Sequence, residues 1–162
     1  MLRRVSSLFI ISFFVSFCFS EDSSRTTQDS LKQVVEESVI EIEASNIRKE
    51  KNQYLIDIYA NNMNKNIAGI QFNLIGEDFT ILEASGGLAE KAGFNFYNGS
   101  KGVILAFSLE GKTISNPKKR AALFTLKVQK NNKKPSEFNI KTLIAGERGV
   151  KLESIFSSIV ID

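Results

Sequence analysis

Alternation of apolar and polar side chains at every second position is the feature that most constrains how this chain can fold. From Ser38 onward, runs such as Ile40 to Ala44 and Tyr54 to Ile58 place an apolar residue at every other position. Successive side chains of a β-strand point to opposite faces, so this alternation predicts strands with one buried face. The same pattern returns at Ile70 to Leu74, Val103 to Leu109, Ala122 to Val128, Phe138 to Ile140 and Ile159 to Ile161.

Turn-forming residues separate these runs. They are Asn61-Asn62, Gly76 to Asp78, Gly86-Gly87, Asn98-Gly99, Asn116-Pro117, Asn131-Asn132 and Gly146 to Gly149. Short strands at such close spacing favour an antiparallel sandwich over a parallel sheet with crossover helices. With 79–84 and 94–97 counted as further strands, the sequence predicts an all-β, antiparallel β-sandwich of about nine strands with jelly-roll-like topology. Helix formers near 88–92, closed by Gly93, predict one short helical turn.

The first twenty residues have the layout of a secretory signal peptide. Arg3 and Arg4 precede an apolar run from Val5 to Phe19, and small residues stand where a signal peptidase would cleave after Ser20. As a helix, the apolar run would reach only about 22 Å, which is short of a hydrocarbon core of roughly 30 Å. The sequence therefore predicts cleavage, no stable membrane span afterwards, and a secreted or extracytoplasmic location in the periplasm or at the cell surface.

Composition after removal of residues 1–20 limits the function. The whole chain has no His, no Trp and a single Cys, which lies in the predicted leader, and the remaining residues comprise 19 basic and 18 acidic side chains. This near-neutral balance argues against nucleic-acid binding, and the absence of His excludes imidazole catalysis and imidazole metal ligation. Without disulfides, a hydrophobic core must stabilise the fold. We divide the chain into a signal peptide (1–20), a polar lead (21–37) and one domain (38–162).

Three segments in the middle of that domain share an order and spacing with a known family. They read IAGIQFNL (67–74), ASGGLAEKAGF (84–94) and VILAFSLEGKTI (103–114), and AALFTLKVQ (121–129) and SIVID (158–162) follow them. In these segments the chain resembles the cohesin-like domain family. The resemblance implies a nine-stranded jelly-roll sandwich, related to carbohydrate-binding modules, that grips dockerin modules through a flat sheet face. It implies non-catalytic adhesion, with a dockerin-like or other envelope protein as partner, and no cofactor.

The alternation also indicates which side chains a partner would meet. If Ile70, Phe72 and Leu74 point inward, then Gln71 and Asn73 point outward. Inward Val103, Leu105, Phe107 and Leu109 would likewise leave Ile104, Ala106 and Ser108 outside. Together these side chains predict a smooth, weakly charged face that a protein could approach closely. The competing interpretation is that the N-terminal lead or a loop covers this face.

Other candidate groups favour surface roles. Most Phe residues fall on the inward phase, whereas Tyr59 and Tyr97 do not, which makes them possible sugar contacts or simply edge positions. The carboxylates Glu77, Asp78, Glu83, Glu90 and Glu110 show neither catalytic nor metal-binding spacing, so we predict no enzyme and no metal site. Two basic clusters, Lys118 to Arg120 and Lys130 with Lys133-Lys134, would either protect strand ends or meet a polyanion or a membrane headgroup, and protection is the favoured interpretation.

The leading hypothesis from the sequence is an exported, non-catalytic binding module that engages a protein or a surface glycan through a sheet face. A secreted carbohydrate-binding module and a structural envelope or matrix component are the alternatives.

Overall fold

A computed structural model describes residues 39–162 of the 162-residue chain. The predicted signal peptide (1–20) and polar lead (21–37) lie outside the described residues. Within 39–162 the chain forms eleven strands, one short α-helix and two 3-10 turns, the turns at Ser100–Gly102 and Glu147–Gly149. The other elements are β1 (Ile40–Glu50), β2 (Gln53–Asn61), β3 (Ile67–Ile75), β4 (Phe79–Ser85), α1 (Gly87–Lys91), β5 (Asn95–Asn98), β6 (Val103–Phe107), β7 (Phe124–Lys130), β8 (Ser136–Gly146), β9 (Lys151–Leu152), β10 (Ser154–Ser157) and β11 (Ile159–Ile161).

The strands form two sheets that pack face to face. Sheet I has the order β10-β1-β2-β7-β4, and sheet II has the order β11-β8-β3-β6-β5, with β9 paired to β8. All neighbours are antiparallel except β10, which runs parallel to β1. The predicted all-β, jelly-roll-like sandwich is confirmed, as is the helical turn near 88–92. The described part has eleven strands because the segment after β8 is divided into three short ones.

The core lies between the inner faces of the two sheets. At its centre Phe124 of sheet I meets Phe72 of sheet II edge to face, with ring centroids 4.9 Å apart. Phe96 packs on the same Phe124 ring at 5.7 Å. Edge-to-face pairs are favourable beyond the area they bury, so these rings join the two sheets. The largest fully buried side chains are Phe72, Phe124, Phe138, Ile40, Ile42, Ile56, Ile58, Ile67, Ile104, Leu123, Leu126 and Ile144.

Helix α1 contacts the segment that leads into β7. The N–H groups of Leu88 and Ala89 donate to the carbonyl oxygens of Ala122 and Leu123, each at 2.9 Å. This close approach requires Gly87, which has φ 67°, because a Cβ there would lie 2.5 Å from the Leu123 carbonyl oxygen. The glycine pair in the loop therefore allows the backbone of α1 to dock on sheet I.

The outer face of sheet I carries a hydrogen-bonded carboxylate, Asp57 of β2. Arg48 donates to both of its oxygens, at 2.7 and 2.8 Å, and Thr125 donates at 2.8 Å. Asn46 adds a longer bond at 3.3 Å. The hydrogen bond from Arg48 is the main cause that lowers the pKa of Asp57 from its ordinary 3.8 to about 2, although partial burial opposes it.

This pKa predicts an acid-dependent loss of stability. Since the folded-state pKa of Asp57 lies below the unfolded one, its contribution is nearly complete above about pH 4 and is lost as the pH falls through about 2. Asp57→Asn should lower the free energy of unfolding by roughly 1–2 kcal/mol at pH 7 and by well under half of that at pH 2. Urea unfolding across this range measures the difference, with Glu153→Gln in an exposed ion pair as the control. A difference that stays undiminished at pH 2 would contradict the assignment.

Candidate binding face

The outer face of sheet II is organised into cross-strand rows by the pairing of four neighbouring strands, β8, β3, β6 and β5. One row runs from β5 to β8 through Tyr97, Leu105, Gln71 and Leu143. Facing residues in a row have Cβ atoms close enough to act as one surface. The neighbouring rows contain Asn95, Phe107, Gly69 and Ala145 on one side, and Val103, Asn73 and Lys141 on the other.

Large apolar side chains dominate this face. Leu143 is 49% exposed, Tyr97 40%, Leu105 39% and Phe107 36%. We call these four residues the outer patch. The rings of Tyr97 and Phe107 are stacked, with centroids 5.0 Å apart and planes 20° from parallel. Contiguous exposed apolar groups on adjacent strands of a folded domain mark an interaction surface.

Polar groups complete the surface. Gln71 lies between Leu105 and Leu143, and its amide donates to Asn73 at 3.0 Å. Gly69 lies opposite Phe107 and adds no side chain of its own to its row. On β5, β6, β3 and β8 the three rows contain one charged residue, Lys141, and Lys151 of β9, paired with Glu153, extends the Ala145 row. A face of this composition suits contact with a surface that is itself largely uncharged.

The predicted orientation of β6 is wrong. Ile104 and Ala106, expected on the outside, are 2% and 1% exposed, whereas Leu105 and Phe107, expected in the core, face outward. The reason is pairing with β3, in which Ile104 faces the buried Phe72. The segment Val103–Phe107 is apolar in both phases, so alternation alone does not determine which phase is buried. The predicted weakly charged face therefore exists, but it is apolar and aromatic.

The remaining predicted contacts are divided between different surfaces. Gln71 and Asn73 lie on the outer face of sheet II as expected. Ser108 follows β6 and is partly buried, and its hydroxyl accepts the N–H of Glu110 at 3.2 Å. Tyr97 belongs to the outer patch. Tyr59 lies on β2 in sheet I, so the two tyrosines cannot contact one sugar together.

Neighbouring side chains contact both the ring and the hydroxyl of Tyr59. The guanidinium of Arg120 lies 4.4 Å from its ring centroid, and the same Arg120 forms an ion pair with Glu43 at 2.8 Å. The Tyr59 hydroxyl accepts a hydrogen bond from the Asn46 amide at 2.7 Å. Because the cation covers one ring face, a sugar would have to displace Arg120 to stack there. Of the two predicted sugar contacts, only Tyr97 has a place in the exposed face.

Sequence reasoning did not identify Leu105, Phe107 and Leu143 as surface residues. Two signals point to them. The unbroken apolar run of Val103–Phe107 implies that one phase of β6 is exposed whichever way it faces. In β8, Phe138, Ile140 and Ile144 alternate inward, which leaves Leu143 as an apolar residue on the polar phase.

Among residues 39–162, no group of three or more His, Cys, Asp or Glu side chains has the geometry to hold a metal ion. Glu77, Asp78, Glu83, Glu90 and Glu110 are each exposed, and Glu110 pairs with Lys112 at 2.7 Å. Over the same residues, no helix has the length and hydropathy needed to span a membrane.

Comparison with known proteins identifies which solved structures share this fold. No protein-family model and no curated sequence matches the chain. Among solved structures, it is similar to the third ScaB cohesin of R. flavefaciens in complex with a group 1 dockerin. The TM-score is 0.55 at 18% identity, over 77% of this chain and 96% of that one.

Two further cohesins match. The sixth cohesin of scaffoldin B from Acetivibrio cellulolyticus, in complex with a dockerin, gives a TM-score of 0.55 at 7% identity, over 76% of this chain and 98% of that one. A non-cellulosomal cohesin of the archaeon Archaeoglobus fulgidus gives 0.51 at 10% identity, over 74% and 87%. The domain therefore has a cohesin-like fold, as the sequence segments predict.

Proposed function

We propose that the chain is an exported, non-catalytic binding module that engages a protein partner through the outer patch. One observation carries the proposal: four large apolar side chains on β5, β6 and β8, on one outer face of sheet II, stay 36–49% exposed although the sandwich encloses a complete core. Polar residues at these positions would leave the core unchanged. Their exposure is therefore best explained by a surface that becomes buried in a complex.

The arrangement of the patch fits an interface. Aromatic side chains are enriched in protein–protein contacts, and residues that dominate affinity cluster near the centre of the buried area. Here Leu105 is central, with the Tyr97–Phe107 stack on one side and Leu143 on the other. Gln71 provides hydrogen-bonding groups inside the apolar surface, which would orient a partner without burying a charge.

Known cohesins support a protein as the partner class. Two of the similar structures are cohesins in complex with dockerins, while the archaeal one is described as non-cellulosomal. A dockerin-like module or another envelope protein is the proposed ligand. Export to the periplasm, the cell surface or the medium, with cleavage after Ser20, rests on the N-terminal pattern of the sequence.

Site-specific photocrosslinking tests the proposal. A benzophenone side chain placed at Leu143 in the full chain, expressed in an exporting host, should crosslink one discrete extracytoplasmic protein. The same group at Ile155, which is 56% exposed on β10 of sheet I, should not. Equal crosslinking from both positions, or none from Leu143, would contradict a protein-binding role of the outer patch.

A glycan is the second candidate ligand, and the Tyr97–Phe107 stack is the observation in its favour. The two rings stack on each other, so one face of each is covered, and a pyranose ring would contact an outer ring face or the ring edges. A glycan array would then give a signal that Tyr97→Ala removes and Tyr59→Ala leaves intact. A blank array together with crosslinking at Leu143 would exclude the glycan in favour of the protein.

A further inference from the structure

A cavity at one end of the domain shares no residue with the outer patch. It is a cavity of about 360 Å³ between the β1–β2 turn, the β7–β8 turn and Asp162. Four lysines line it: Lys49, Lys51, Lys130 and Lys133. We call it the lysine pocket. Its volume falls near the lower end of the range typical of small-molecule sites, which is roughly 300–1,000 Å³.

The positive charges of the pocket lack carboxylate partners. Asp162 is the only acidic residue in its lining. The ion pairs within residues 39–162 are Arg48–Asp57, Lys112–Glu110, Arg120–Glu43 and Lys151–Glu153, none of which involves a pocket lysine. Four ammonium groups around one cavity repel each other, and a bound anion would turn this repulsion into attraction.

Fixed contacts hold the walls in place. Lys130 donates to the carbonyl oxygen of Ile161 at 2.7 Å, and Lys49 lies over the Tyr54 ring at 5.2 Å from its centroid. The amide of Asn131 donates to the Glu77 carbonyl oxygen at 2.7 Å, which anchors the β7–β8 turn. Because these contacts fix the backbone of both turns, binding there would cost little further ordering of the backbone.

The position of Lys51 is a separate indication. It lies in the two-residue β1–β2 turn with φ 58°, in the left-handed region where Gly and Asn are favoured. A lysine there costs about 1 kcal/mol relative to glycine. Among the described contacts, no hydrogen bond or ion pair of Lys51 offsets this cost. A role for its charge in the pocket accounts for a residue that the turn itself does not favour.

We propose that the lysine pocket binds a compact polyanion, a ligand with two or more closely spaced phosphate or carboxylate groups. An ammonium group is a point charge without the planar geometry of arginine, so it binds phosphate and carboxylate groups alike. The amide of Asn52 also lines the cavity and would add a neutral donor, whereas the amides of Asn131 and Asn132 already donate to neighbouring oxygens. The cavity suits a small anion or the charged end of a larger molecule. This site is independent of the outer patch.

Calorimetric titration of the full chain with tripolyphosphate and with citrate, at constant ionic strength, tests the proposal. At least one should bind with a submillimolar Kd that weakens as salt is raised. Binding of tripolyphosphate alone identifies a phosphate ligand, binding of citrate alone a carboxylate ligand, and binding of both identifies the shared chemistry.

Matched variants separate the pocket from general surface charge. Lys51→Gly removes one charge and relieves the left-handed backbone, so the melting temperature should not fall while the affinity drops about tenfold. Lys119→Gln, which removes an exposed lysine outside the pocket, should leave the affinity unchanged. No binding of either anion, or equal weakening by both variants, would overturn the proposal. Leu105→Arg should not affect this binding, which keeps the result distinct from that of the partner experiments.

Discussion

Replacing Gly87 with alanine is expected to lower the free energy of unfolding by about 3 kcal/mol. The added Cβ would lie 2.5 Å from the Leu123 carbonyl oxygen and 2.6 Å from that of Ala122. Both obstacles are backbone atoms, so no side chain can rotate away. The docking of α1 would have to shift, and the hydrogen bonds from Leu88 and Ala89 that hold it would be weakened.

Gly76→Ala provides the matched control. Gly76 has φ 87°, so alanine there suffers the same kind of backbone strain, but no atom lies within 4 Å of its added Cβ. Its cost should be limited to about 1 kcal/mol. Urea unfolding of both variants isolates the cost of the close approach, since both glycines have left-handed φ but only Gly87 has backbone atoms where its Cβ would lie. Equal losses would show that α1 does not contact the segment before β7 as described.

Leu105→Arg is expected to weaken partner binding about 100-fold while changing the free energy of unfolding by less than about 1 kcal/mol. Leu105 is at the centre of the outer patch, so an arginine there would bury a charge under the partner. Its side chain is already 39% exposed in the free domain, which allows the arginine to extend into water. Binding and folding should therefore respond very differently to this one change.

Several strands were predictable because each has one clearly polar face. In β2, Ile56 and Ile58 alternate with the polar residues Asp57 and Tyr59, and the structure buries the two isoleucines completely. The turn at α1 was also predictable, since helix formers follow a glycine pair that strands tolerate poorly. Local periodicity is sufficient wherever the two phases differ in polarity.

The orientation of β6 was not predictable from local pattern. Val103–Phe107 has no polar residue, so its buried phase is set by the register with β3, where Ile104 faces Phe72. Register depends on contacts between residues distant in the sequence. The register therefore places Leu105 and Phe107, instead of the predicted Ile104 and Ala106, beside Gln71 on the outer face of sheet II.

Surface clusters were unpredictable for a similar reason. Arg120 covers Tyr59 only because the loop before β7 passes over sheet I. The lysine pocket joins the β1–β2 hairpin turn to the β7–β8 loop, which connects the two sheets and is distant from that turn in the sequence. The sequence shows the basic residues near 130–134 as a group, but their proximity to Lys49 and Lys51 follows from the sandwich topology. Long-range packing brings these residues together, and composition does not predict such packing.

The most direct test of the outer patch compares two charge insertions on opposite sheets. The partner captured through Leu143 is titrated against the wild-type chain, Leu105→Arg and Ile155→Arg, all shown to unfold at similar urea concentrations. A binding face on sheet II predicts an affinity loss of about 100-fold for Leu105→Arg and less than threefold for Ile155→Arg. Wild-type affinity in Leu105→Arg, or an equal loss in both variants, would contradict it.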